Sequence, residues 1–133
     1  MSLRITSRED EPAIVVEDAT HLDQVLDAAS QEARTANKLN GLVIEADNGN
    51  RLLFVVGGEE TALLFNYGGE DPPYYASKGA REDEHAWMTF YTNFQHHTEF
   101  PRRFVIPFAD GVKAVHQFFD TDELPTCINW EES

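Results

Sequence analysis

The stretch "GLVIEADNGNRLLFVVGGEETALLFNYG", residues 41–68, decides the fold. It holds three runs rich in Val, Leu, Ile and Phe, at 41–46, 51–57 and 61–68. Each has the length and composition of a strand. Asn48-Gly49 stands between the first two, and a tight mirror-image hairpin turn there needs positive φ, which these residues tolerate. Gly57-Gly58-Glu59-Glu60 turns the second pair. The expectation is a meander of three antiparallel strands.

Upstream, "AIVVE" (13–17) predicts a short buried strand. A helix follows, with Thr20 and Asp23 in the spacing of a capping box. Leu22, Leu26, Ala29, Ala33 and Ala36 recur at three and four residues and define its apolar face. Asn37, Asn40 and Gly41 offer places to stop it, because Asn and Gly accept the left-handed conformation. Residues 1–12 are polar and charged and predict a loose arm, leaving 13–133 as a single domain.

Downstream, "PYYAS" (73–77) and "HAWMTFYTNF" (85–94) predict two more strands, and "RFVIP" (103–107) a short one. A second helix starts near Pro107, whose fixed φ suits a first turn. Phe108, Val112, Val115 and Phe119 share one of its faces, and Phe118 widens it. Gly111 costs such a helix ~1 kcal/mol relative to Ala, which favours a later start. Pro125 forbids the helix beyond Leu124. "CINW" (127–130) alternates like a closing strand, with Trp130 locking it to the sheet. The fold class is α+β: an antiparallel sheet of about five to seven strands with an N-terminal and a C-terminal helix packed on it.

The chain has 133 residues, 41% of them hydrophobic, with nine Phe, four Tyr and two Trp, enough for a core. It shows no apolar run of signal-peptide or membrane-spanning length, and cytoplasmic is the expected location. Cys127 is the only cysteine, so no internal disulfide forms. The net charge is −14. Such a surface repels nucleic acid and anionic membranes and speeds docking onto a basic partner. Glu59, Glu60, Glu70, Asp71, Glu82, Asp83 and Glu84 fall in connections between strands, where a partner reaches them. The tail adds Asp120, Asp122, Glu123, Glu131 and Glu132.

Signs of catalysis are weak. His97-Thr98-Glu99 matches half of the zinc-deaminase signature, but the other half needs two thiolates after Pro. Here Thr126 separates Pro125 from Cys127, and Trp130 stands where the second thiolate belongs. His96, His97 and Glu99 suit one ion poorly, since neighbours on a strand face opposite ways. No Ser lies in a nucleophile elbow, and the Gly pairs precede strands or Pro, not helices. The residues describe a protein that binds, with no enzyme activity, cofactor or metal expected. The competing reading is a small-ligand or catalytic α+β domain with a pocket between helix and sheet, lined by Trp87, Tyr91 and His97.

The C-terminal pattern resembles the first-numbered family of immunity proteins from bacterial polymorphic-toxin systems. Its small residue, aromatic pair, Thr, spaced Pro and final Trp fall on Ala114, Phe118-Phe119, Thr121, Pro125 and Trp130. The middle is similar too: a strand with polar insertions over 51–67, then an aromatic strand pair after Gly79. The match runs over roughly 41–131. It departs at Asp122 and Leu124, where the pattern has Gly and Arg. The resemblance implies an antitoxin whose partner is a cognate toxin domain, basic and of the nucleic-acid deaminase class, inhibited by covering its active cleft. The acidic connections are the expected contact surface. Tyr74 and Tyr75, beside Glu70 and Asp71, are the expected dry anchors.

Overall fold

A computed structural model describes residues 2–7, 12–68, 74–79, 87–92, 96–101 and 104–132; for 74, 87–88, 90–92 and 96–101 it describes the backbone alone. In chain order the elements are β1 (Leu3–Thr6), β2 (Ile14–Val16), α1 (Ala19–Ala36), β3 (Asn40–Ala46), β4 (Arg51–Val56), β5 (Glu60–Thr61), β6 (Leu63–Asn66), β7 (Tyr74–Ser77), β8 (Trp87–Thr92), β9 (His96–Pro101), β10 (Ile106–Pro107), α2 (Phe108–Thr121) and β11 (Trp130–Glu132).

The meander over 41–68 forms, as β3–β4–β6, and the sheet grows from it in both directions. Seven strands run antiparallel in the order β11-β7-β6-β4-β3-β1-β2. The β8–β9 hairpin joins through a parallel pairing of Tyr91 and Thr92 with Asn40 and Gly41. Alternation sorts the side chains. Leu42, Ile44, Leu52, Phe54, Leu63 and Phe65 turn to one face and are wholly buried. Both helices cover that face: Leu22, Val25, Leu26 and Ala33 of α1 and Ala114, Val115, Phe118 and Phe119 of α2 share one core with it. The opposite face carries Arg4, Val43, Glu45 and Arg51.

Several elements differ from the sequence expectation. Residues 3–6 are not a loose arm. They form β1 between β2 and β3, with Leu3 and Ile5 buried. Strand β2 is an edge strand, not a buried one, so only Val16 is buried. Asp18, not Thr20, caps α1: its carboxylate accepts from the His21 amide at 2.7 Å. Val25 joins the buried face of α1, whereas Ala36 is exposed. Asn37 ends the helix at φ 55, while Asn40 and Gly41 already belong to β3.

The β3–β4 turn has positive φ at Gly49 but not at Asn48. Gly49 donates to the Ala46 carbonyl, and Ala46 to that of Asn50. That is a three-residue loop closed by a left-handed glycine, not the two-residue mirror-image turn. The run 61–68 breaks at Ala62: β5 leaves the meander to pair with β10, and Thr61 Oγ1 donates to the Val55 carbonyl at 2.7 Å. The closing strand begins at Trp130, later than expected.

Helix α2 does start at Phe108, with Gly111 inside it for a packing reason. A Cβ there would meet Thr61 Cγ2 at 2.5 Å and Phe54 Cε1 at 2.8 Å. The aromatic tail is core. Trp130 sits edge-on to Phe65 at 6.3 Å, and its Nε1 donates to the Pro125 carbonyl at 2.6 Å. Gln117 straps the tail to α2, accepting from the amides of Thr126 and Cys127 at 3.0 Å each.

Candidate functional site

Strand direction assigns Glu59 and Glu60, and the described residues that flank the other acidic segments, to ends of the sheet. Strand β6 runs from Leu63 to Asn66, and β7 returns antiparallel to it. Glu59 and Glu60 stand at one end. Glu59 is exposed; its carbonyl accepts from the Phe108 amide at 2.9 Å, which ties the turn to the start of α2. Glu60 is half-buried in β5, opposite Pro107. Asp110, in the first turn of α2, adds a third carboxylate nearby, where the helix dipole favours it. Strand β7 finishes at this same end, with Ser77 Oγ accepting from the Leu63 amide. The chain therefore departs from this end toward the connection that bears Glu82, Asp83 and Glu84.

At the opposite end lie Asp47, Asp122 and Glu123. Gly68 and Tyr74, which flank the segment bearing Glu70 and Asp71, belong here: Gly68 donates to Asn50 Oδ1 at 2.9 Å, and Tyr74 pairs with Asn66. Glu59–Glu60 and the flanks of Glu70–Asp71 are thus separated by the length of β6, about 13 Å for four residues. Glu70, Asp71, Glu82, Asp83 and Glu84 themselves lie outside the described residues, as does the Tyr74 side chain. Tyr75 is half-buried against the core, edge-on to Tyr67 at 6.2 Å.

The acidic surface is not uniformly solvated. Glu45 accepts from Arg4 at 2.6 Å and from Arg51 at 2.9 Å on the open face. The hydrogen bond from Arg4 is the main cause holding its carboxyl below the usual range. Asp122 goes the other way. Burial, and then the nearby charge of Asp47, push its carboxyl up. One of its oxygens, Oδ1, is shut off from solvent without a partner among the described residues. It also holds the left-handed cap of α2 at φ 57, a conformation that Gly would adopt without strain. No sequence signal marked Asp47, Asn48 and Asn50 as neighbours of Asp122, since that contact spans more than seventy positions.

The expected pocket of Trp87, Tyr91 and His97 concerns side chains outside the described residues; in the backbone, Tyr91 and His97 are opposite each other across β8–β9. The side chains of His96, His97 and Glu99 are likewise undescribed. Among the described residues, no group of three or more His, Cys, Asp or Glu is placed to hold a metal ion. A groove of about 230 Å³ does lie between a helix and the sheet, but under α1, lined by Ile5, Ile14, Val25 and Leu42 among others. Among the described residues, no helix is long and apolar enough to cross a membrane.

The described residues form an α+β scaffold, two helices on one face of a sheet, with carboxylates at both ends of that sheet. The family Immunity protein Imm1 matches residues 10–132, nearly the whole chain, and the chain belongs to that immunity-protein family. No curated protein matches the sequence significantly. Family membership implies an antitoxin with a cognate toxin as partner.

Proposed function

We propose that this protein acts in the cytoplasm, without catalysis of its own, by binding a nucleic-acid-targeting, deaminase-like toxin and covering its basic cleft. The observation that carries this reading is the net charge of −14 on a member of an immunity family. A toxin that grips nucleic acid presents a cationic cleft. An inhibitor with fixed carboxylates reaches that cleft at accelerated rates and competes with phosphate for it. Glu59, Glu60, Glu82, Asp83 and Glu84 supply one contact region. Glu70 and Asp71, with Tyr74 and Tyr75, supply the second.

The test is co-expression with the toxin encoded beside this gene, followed by binding kinetics on the purified pair. Rescue of growth, and loss of nucleic-acid binding by the toxin, are expected. Growth arrest undiminished by this protein overturns the proposal.

A further inference from the structure

Strand β2 ends the sheet, and its outer edge pairs with no strand among the described residues. Its Ile14 and Val15 are 47% and 50% exposed. Large aliphatic side chains on an open edge are what soluble proteins ordinarily cover or replace with charge. Ile14 also lines the groove under α1, with Ile5 and Leu42 from the sheet and Val25 from the helix. At about 230 Å³ the groove falls below the roughly 300–1,000 Å³ of ordinary small-molecule sites. It suits one or two side chains inserted from a neighbouring chain. An open strand edge beside a slot with an apolar patch, here bordered by Ser7, His21, Gln24 and Glu32, is the geometry by which a sheet accepts an added strand: main-chain bonds align it, and alternate side chains enter the slot.

Charge selects the occupant. Glu17 and Asp18 directly follow β2 and Glu32 lines the groove, against Arg4, which pairs with Val15 from β1 and is itself bonded to Glu45. A second copy of the chain would bring its own −14 to the same edge and be repelled. A cationic segment would be drawn in.

We propose that the outer edge of β2, open among the described residues, and the groove under α1 form an anchoring site for an extended cationic segment of the cognate toxin, which adds a strand beside β2 and seats an apolar side chain against Ile14, Ile5 and Val25. This rests on the toxin-binding reading but uses a different surface from the acidic connections. Those steer the encounter; apolar contact made in the slot on binding governs how long the complex lasts.

The test uses the toxin domain encoded beside this gene, inactivated in its active site, with the full-length protein. Ala28→Trp fills the groove from an exposed helical position, and Ile14→Glu places a charge at its mouth. Both variants are expected to dissociate at least about tenfold faster, with association unchanged within about threefold. Backbone amides of residues 14–16 are expected to gain hydrogen-exchange protection in the wild-type complex, which decides the matter should either variant fail to fold. Wild-type dissociation rates in folded variants, or unprotected amides at 14–16 in a formed complex, overturn the anchoring site and leave the toxin-binding reading standing. A wild-type protein that does not bind this toxin overturns both.

Discussion

Asn50 donates from Nδ2 to the main-chain carbonyl of Asp122 at 2.8 Å, joining the β3–β4 turn to the end of α2. Asn48 donates to the same carbonyl at 3.0 Å. Helix ends leave carbonyls without intrahelical partners, and here a hairpin turn from early in the chain supplies the donors. Asn50 is buried, and its Oδ1 accepts from Gly68, so one side chain fastens three segments.

Asn50→Ala is therefore expected to lower stability by about 2–3 kcal/mol, as buried partners are left unsatisfied. Asn50→Asp should cost more. It keeps the acceptor for Gly68 but sets a carboxylate against the Asp122 carbonyl and near Glu123. Urea unfolding of both variants checks the order; an aspartate variant as stable as wild type would contradict it.

Gly111→Ala separates helix propensity from packing. Propensity alone favours Ala by about 1 kcal/mol. The added Cβ meets Thr61 and Phe54, and Thr61 is held by its bond to Val55. Overpacking of this kind costs about 1–3 kcal/mol. A net loss of stability is expected, measured by the thermal midpoint.

Two carboxyls give pH dependences of opposite sign. The Asp122 pKa is raised in the fold above its ordinary 3.8. Its ionised form thus weakens the fold near neutral pH, and the penalty fades as pH falls through the raised value toward 3.8. Asp122→Asn, which also tolerates the left-handed cap, should be more stable than wild type at neutral pH and lose that advantage in acid. The Glu45 pKa is lowered from 4.5 by Arg4 and Arg51. Its contribution is present above 4.5 and lost as pH falls through the lowered value. Glu45→Gln should be less stable than wild type at neutral pH and converge with it in acid. Denaturant midpoints across this range distinguish the two.

Neutralising the acids end by end should map the electrostatic contact. Ala at Glu59, Glu60, Glu82, Asp83 and Glu84, or separately at Glu70 and Asp71, is expected to slow toxin association by about tenfold or more at low salt for the end that faces the cleft. Dissociation should change little, and the difference should shrink as salt rises. An association rate indifferent to salt and to both sets would remove charge from the mechanism.

The sequence by itself determined the meander, the two helices and the role of the tail. These rest on local signals: apolar runs between turn residues for β3, β4 and β6, a three-to-four residue period in α1 and α2, and Pro125 ahead of Trp130. Charge and the family pattern were legible for the same reason, being properties of composition and spacing.

Only the tertiary structure decided what depends on distant partners. The four residues of β1 are too short and too interrupted by charge to stand out, and they are strand because β2 and β3 bond them on both sides. Gly111 reads as a helix breaker until Phe54 and Thr61 are set against it. Likewise, Asn50 and Asp122 are far apart along the chain, yet the end of α2 returns to the β3–β4 turn and the two bond. Pairing register and packing are properties of pairs of segments, and no single segment encodes them.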